Sequence, residues 1–116
     1  MTRAELKNLM QGVSAAVPTP FDQDYKLDLA KAADLTRWWV EQGLGTGTSM
    51  IKLCSAWGQG PDMDDNEWPH LVRTVVNAGG PGVNVMCGLK SKDTLHTIED
   101  AMIAQDMGAS SLQIEL

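Results

Sequence analysis

The stretch that decides the fold is Gly12-Val13-Ser14-Ala15-Ala16-Val17-Pro18-Thr19-Pro20-Phe21, a short apolar run that ends in two prolines. Residues 13–17 predict a β-strand, and the prolines limit its ladder bonding because proline has no N–H to donate. Two further apolar runs end at turn residues, one before Ala56-Trp57-Gly58-Gln59 and one at Gly88. A fourth begins near Ser111 and reaches Leu116. Together they predict four short strands.

A helix is predicted between each pair of neighbouring strands. The first covers residues 29–40, after the N-cap residue Asp28 and before Gly43, a typical C′ residue. Trp38 and Trp39 are expected to be its bulky cover on the sheet. Short strands alternating with helices imply parallel βαβ units. Four strands and three helices are the order of about the first half of a (β/α)8 TIM barrel, an α/β fold.

The sequence patterns of the other two helices are less regular than that of the first. Asp64 and Glu67 have the spacing of a capping box, but Pro69 requires either a later start or a distorted first turn. The last helix covers residues 94–107 and ends at Gly108. Its apolar stripe is predicted on Leu95, Ile98 and Met102.

Length and composition predict one globular domain over residues 1–116, opened by a short helix in residues 1–11. The net charge of −6 argues against nucleic acid or an anionic membrane surface as a partner. No apolar run reaches the roughly 20 residues of a membrane span. The N-terminal residues also lack the apolar core of a signal peptide, so a cytoplasmic location is expected.

Cysteine and histidine give no sign of a metal centre. Cys54 and Cys87 fall late in neighbouring strands, where a disulfide is geometrically conceivable, but buried free thiols are expected in a cytosolic chain. His70 and His96 stand alone on predicted helices and are expected to face solvent or pack against a neighbour. Neither a metal nor another cofactor is predicted.

Several segments match, in order and spacing, the strand-end motifs of one enzyme family. Four segments carry the match: the opening strand with its Thr-Pro-Phe ending, Gly47-Thr48-Ser49-Met50-Ile51, Gly88 with its polar exit loop, and Gly108-Ala109-Ser110-Ser111. The chain thus resembles the dihydrodipicolinate synthase and N-acetylneuraminate lyase family over nearly its whole length. The resemblance implies lyases, aldolases or dehydratases that hold pyruvate or another small 2-oxo acid as a Schiff base on a lysine.

The resemblance also implies where a substrate carboxylate would bind. The family carries Gly-Thr-Thr-Gly-Glu at the end of the second strand, whereas this chain has Ala56-Trp57 for the threonine pair and Gln59 for the glutamate. Backbone N–H groups of Trp57 and Gly58 and the Ser55 hydroxyl remain as donors. The predicted substrate-binding residues are Thr19, Ser55, Ala56, Trp57 and Gly58.

No catalytic residue is assigned within the chain. The resemblance places the family's Pro-Tyr-Tyr segment right after Leu116 and the Schiff-base lysine on a later strand. Lys52 is expected to pack its aliphatic stem and expose its ammonium rather than act as that lysine. Lys90 and Lys92 are expected to be solvated charges on the rim, with attraction of an anionic substrate as the alternative.

Two functions of different class remain open. One is a fragment of a Schiff-base lyase, active only in a longer form; Trp57 would then line a site for a bulkier substrate, or merely pack its loop. The other is a non-catalytic half barrel that dimerises or binds a protein partner, because a half barrel leaves two open strand edges. A homo-oligomer is expected. A flavodoxin-like domain is a weaker third possibility, since no glycine-rich phosphate loop supports it.

Overall fold

The computed structural model describes residues 1–90 and 93–114. Its single sheet has four parallel strands in the order β1-β2-β3-β4. These strands are β1 (Val13–Ala16), β2 (Ser49–Leu53), β3 (Val85–Leu89) and β4 (Ser111–Ile114). The helices are α1 (Arg3–Leu9), α2 (Leu29–Glu41), α3 (Trp68–Gly79) and α4 (Thr94–Met107). The predicted order is confirmed, while the last two residues of the predicted fourth strand lie outside the described residues.

The core lies between the sheet and the helices. Alternate residues of β2 and β3 point to this side, and they belong to one apolar cluster with side chains of α2 and α3. Its sheet members include Ile51, Leu53, Val85, Cys87 and Leu89. The intervening residues, such as Met50 and Met86, point to the opposite face, which is the inner face of a barrel. Both faces of the middle strands thus carry buried apolar side chains, with the half-buried Lys52 also on the inner face.

Helix starts follow the local sequence. The Asp28 carboxylate accepts the Lys31 N–H at 2.9 Å, and in α1 Thr2 and Glu5 form the reciprocal capping box. Helix α3 begins at Trp68, so Pro69 lies in the first turn, where its missing N–H has no intrahelical partner to lose. The later start is therefore the correct one of the two alternatives.

The prediction that both tryptophans cover the sheet is wrong for Trp38. Trp39 is half-buried against the core, whereas Trp38 is 57% exposed. Successive helical residues are rotated by about 100°, so two adjacent bulky side chains do not face the same sheet. Only Trp39 covers the sheet.

The predicted apolar stripe of α4 does not face the core. Leu95, Ile98 and Met102 are 65%, 53% and 62% exposed. The buried face is instead formed by Ala104 and the partly buried Ala101. Small side chains let α4 approach the sheet closely, and this leaves the larger ones on its outer flank.

Over the described ranges, no helix is both long and apolar enough to cross a membrane.

Candidate functional site

The exit loops of β1 and β2 are joined by two hydrogen bonds at the carboxyl ends of the strands. The Thr19 hydroxyl donates to the Gly58 carbonyl oxygen at 2.6 Å, and the Thr19 N–H donates to the Gln59 side-chain oxygen at 2.8 Å. Thr19 is buried, so the first of these bonds is shielded from water. Two segments some forty residues apart are thereby held in one fixed arrangement.

Ser55 closes the turn that follows β2. Its side chain caps the short 3-10 turn Ala56–Gly58 by accepting the Gly58 N–H at 3.2 Å, and it is 1% exposed. The Gly58 N–H also lies 3.0 Å from the Ser55 carbonyl oxygen. In this conformation the Gly58 N–H is engaged within the turn and does not point to a ligand.

Two glycines permit the close approach of these backbones. A Cβ added to Gly58 would lie 2.6 Å from the Val17 carbonyl oxygen, and one added to Gly60 would lie 2.1 Å from that of Cys54. Gln59, between them, has a φ of 57°, in the left-handed region that non-glycine residues rarely adopt. The tight turn explains why glycine stands at both positions.

The five predicted site residues divide into two groups. Thr19, Ser55 and Gly58 are buried and joined by hydrogen bonds. We call the two exit loops that contain them, Thr19 after β1 and residues 55–59 after β2, the rim. Ala56 and Trp57 are exposed, and the Trp57 side chain is 86% exposed. The rim therefore combines a rigid polar base with a large aromatic side chain projecting from it.

Comparison with known proteins identifies the family. The sequence model of the Dihydrodipicolinate synthetase family matches residues 9–114. This chain belongs to the dihydrodipicolinate synthetase family. It is 35% identical over 94 residues to 4-hydroxy-tetrahydrodipicolinate synthase of Prochlorococcus marinus, covering 81% of this chain and 30% of the relative. With the Acidothermus cellulolyticus enzyme of that name it shares 35% identity over 102 residues, covering 88% and 32%.

A solved structure supports the same fold. A dihydrodipicolinate synthase family protein from Coccidioides immitis superposes with a TM-score of 0.81 at 22% identity, covering 90% of this chain and 34% of that one. The predicted family and the (β/α)8 fold class are confirmed. The chain spans about a third of the length of the curated relatives it matches.

Gln59 is the site residue whose role the sequence did not reveal. It occupies the place of the family's glutamate, and that position was the only available signal. In the structure its side-chain oxygen accepts a hydrogen bond from the backbone N–H of Thr19 in the neighbouring loop. An amide oxygen accepts this hydrogen bond without a net charge.

The two cysteines are buried free thiols, as predicted. Cys54 has a φ of 60° and belongs to the same apolar cluster as Cys87. A side-chain hydrogen bond with Cys87, together with burial, raises the pKa of the Cys54 thiol. Cys54 is therefore held protonated and is a poor nucleophile.

A cavity of about 310 Å³ lies beside the rim. Its lining combines apolar, acidic and basic side chains, including Cys54, Trp68, Lys90, Asp93 and His96. Thr19 and Trp57 do not line it. Lys90 thus faces this cavity, while Lys92 lies outside the described residues; Lys52 is half-buried on β2.

His96 faces solvent, one of the two predicted alternatives, and it has a partner that the sequence analysis did not identify. Its Nδ1 lies 2.7 Å from a carboxylate oxygen of Asp93, the N-cap residue of α4. The hydrogen bond to Asp93 raises the pKa of His96, and hydrogen bonds from the backbone and side chain of His96 lower the pKa of Asp93. The pair is exposed and marks the start of α4. Within residues 1–90 and 93–114, no group of three acidic, histidine or cysteine residues could hold a metal.

Proposed function

We propose that residues 1–116 form the N-terminal half-barrel unit of a Schiff-base lyase acting on a small 2-oxo acid. The observation that carries this proposal is the family match over residues 9–114, together with the buried hydrogen bonds between the β1 and β2 exit loops. In parallel barrels, loops at these strand ends form the active site. The rim would form one side of the active site and help to orient the substrate carboxylate.

The chemistry would be that of the family. A lysine amine, on a later strand of a longer form, would attack the keto carbon of the acid and lose water to give an iminium. The iminium would accept the electron pair of the bond that breaks beside it and become an enamine; in the condensation direction the enamine would donate that pair to the new carbon–carbon bond and return to the iminium. The residues described here would orient the substrate, and none of them is assigned the covalent step.

The exposed side chain of Trp57 favours the proposal that the substrate is larger than pyruvate. Threonine hydroxyls are absent at Ala56 and Trp57, and the Gly58 N–H is engaged by Ser55. Fewer donors remain for a carboxylate, while an exposed indole ring offers a surface on which an apolar or aromatic tail can stack. We infer that phenylpyruvate is bound in preference to pyruvate.

The test is borohydride trapping. A chimera in which residues 1–116 replace the matching segment of the Acidothermus cellulolyticus relative is incubated with each acid and reduced, and the adduct is measured by intact mass. We expect a trapped adduct that forms faster with phenylpyruvate. The Ala56→Thr, Trp57→Thr double variant should reverse this preference, whereas Trp38→Thr, at an exposed tryptophan of α2, should leave it unchanged. A chimera that traps neither acid, when the relative itself does, would refute the proposal.

The second candidate function is a non-catalytic half barrel that acts through oligomerisation or a protein partner. The observation in its favour is the loss of both threonine hydroxyls at the rim. Sedimentation of the 116-residue chain discriminates the candidates: a stable homo-oligomer, combined with no trapping in a folded chimera, favours the module over the enzyme.

A further inference from the structure

Lys52 is a basic side chain on the inner face of the sheet, near the carboxyl end of β2. Its neighbours Ile51 and Leu53 belong to the core cluster on the helix side, so the alternation along a strand turns Lys52 to the opposite face. It is in register with Ala16 of β1 and Met86 of β3. No other lysine or arginine lies in the four described strands. Lys52 therefore places a positive charge on the inner face.

The Lys52 ammonium has no hydrogen-bond or ion-pair partner within residues 1–90 and 93–114, where the ion pairs join Arg37 to Asp34 and His96 to Asp93. The side chain is nevertheless half-buried. Withdrawing a charge from water costs free energy unless an opposite charge compensates it. A half-buried, unpaired ammonium on the inner face therefore indicates that an anion binds there.

Ser111 gives a second, independent indication on the same face. It is in register with Met86, which lies between it and Lys52, so its side chain also points to the inner face. Ser111 is 8% exposed, and its Oγ atom has no hydrogen-bond partner among the described residues. Buried polar atoms are normally paired. The face that carries Lys52 thus holds a second polar group that lacks a partner.

The rim itself offers few free donors to a carboxylate. The hydroxyl and the N–H of Thr19 both donate within the rim, and the Gly58 N–H is engaged there as well. The side chains of Ala56 and Trp57 carry no hydroxyl. Lys52 lies at the same end of β2, four residues before Ala56. It therefore provides a charged donor close to a rim whose neutral donors are largely engaged.

We propose that the Lys52 ammonium binds the carboxylate of the 2-oxo acid by a charge-assisted hydrogen bond. Lys52 would then supply affinity for the acid group, while Trp57 contacts the tail. The identity of the acid rests on the proposed function. Binding of a carboxylate requires no iminium, however, so the ion pair and the Schiff-base chemistry can fail separately.

The experiment compares a charged ligand with a neutral one by isothermal titration calorimetry of the chimera. The ligands are 3-phenyllactate, which has the carboxylate but no keto carbon to form an iminium, and its amide, 3-phenyllactamide. We expect the acid to bind at least about tenfold more tightly than the amide. Lys52→Met should abolish this advantage and Lys52→Arg should retain most of it. Lys31→Met, at an exposed lysine of α2, should leave it unchanged.

Borohydride trapping adds a kinetic measurement. Lys52→Met should raise the phenylpyruvate concentration that gives the half-maximal trapping rate by at least about tenfold, with a smaller effect on the rate at saturation. A chimera that binds phenyllactate through Lys52 but traps no acid supports this inference and refutes the proposed enzyme. Equal affinities of the chimera for acid and amide, or an acid preference that survives in Lys52→Met, overturn the inference whether or not trapping occurs.

The alternative partner of Lys52 is a carboxylate side chain of the protein itself. Lys52→Met would then lower the urea midpoint of the chimera more than Lys31→Met does, with no change in the affinity for phenyllactate, and this result overturns the proposal. If the chimera does not fold, the 116-residue chain is reductively methylated with 13C-formaldehyde and titrated with phenyllactate. We expect the lysine NMR signal that is missing in Lys52→Met to shift with the acid and not with the amide. A signal that does not shift overturns the proposal.

Discussion

At the residue scale, Thr19 is the link between the two exit loops. Thr19→Val keeps the shape of the side chain but leaves the buried Gly58 carbonyl oxygen without its donor. We expect the free energy of unfolding to fall by about 1–2 kcal/mol. Urea denaturation followed by tryptophan fluorescence measures this. Thr48→Val, at an exposed position, is the control, and equal effects of the two substitutions would contradict the assigned role.

Gly60 tests the close approach of backbones. An alanine Cβ would lie 2.1 Å from the Cys54 carbonyl oxygen, so Gly60→Ala must displace the main chain. We expect a loss of about 3 kcal/mol or more. Gly43→Ala is the matched comparison, because its φ is 94° but no atom lies within 4 Å of the added Cβ. Its strain alone should cost only about 1 kcal/mol. A smaller loss for Gly60→Ala than for Gly43→Ala in the same denaturation assay would show that the turn can relax.

The exposed pair of His96 and Asp93 predicts a defined pH dependence. The pKa of His96 is raised above its ordinary 6.5, so the stabilisation is complete below that pH and is lost as pH rises through the raised pKa. The pKa of Asp93 is lowered from 3.8, so its contribution is present above that pH and is lost as pH falls through the lowered pKa. The pair therefore stabilises most between these two ordinary values.

An NMR titration of the His96 ring protons measures this effect. Its midpoint should fall in Asp93→Asn, because asparagine removes the charge while still capping α4. A midpoint that is the same in both proteins would show that the carboxylate does not act on the ring.

At the scale of elements, the two adjacent tryptophans of α2 allow the effect of substituting a half-buried ring to be compared with that of substituting an exposed one. Trp39→Ala removes a half-buried ring from the core and should lower the free energy of unfolding by about 3 kcal/mol. Trp38→Ala changes an exposed side chain and should remain within about 0.5 kcal/mol of the wild type. Thermal unfolding followed by circular dichroism compares the two, and the reverse ranking would mean that α2 is rotated from the described orientation.

The sequence predicted the order of strands and helices because their patterns are local. Apolar runs ending in glycine or proline marked β1 to β3, and the cap residues marked α2 and α4. The side of α4 that packs against the core could not be predicted in the same way. Its large apolar residues predict one side, but Ala101 and Ala104 pack against the core instead, because the helix lies close to the sheet.

The rim was only partly predictable for a similar reason. Thr19, Ser55 and Gly58 followed from their places at strand ends, and they do meet. The turn of Gln59 toward the Thr19 backbone depends on a left-handed φ and on a loop some forty residues earlier. No local pattern encodes that contact.

At the scale of the whole molecule, the described sheet has two open edges, and on the edge strand β4 the apolar side chains of Leu112 and Ile114 are 36% and 59% exposed. Isolated half barrels of this kind expose apolar side chains that a closed barrel would bury. The described chain should therefore gain stability when the barrel is completed, because more apolar surface is then removed from water.

The most direct measurement is urea unfolding of the chimera with the Acidothermus cellulolyticus relative, compared with the 116-residue chain alone. The account predicts one cooperative transition, with a higher midpoint and a steeper denaturant dependence than the isolated chain shows, because both parts share one core. A separate transition at the midpoint of the isolated chain would contradict it, since residues 1–116 would then fold independently of the rest of the barrel.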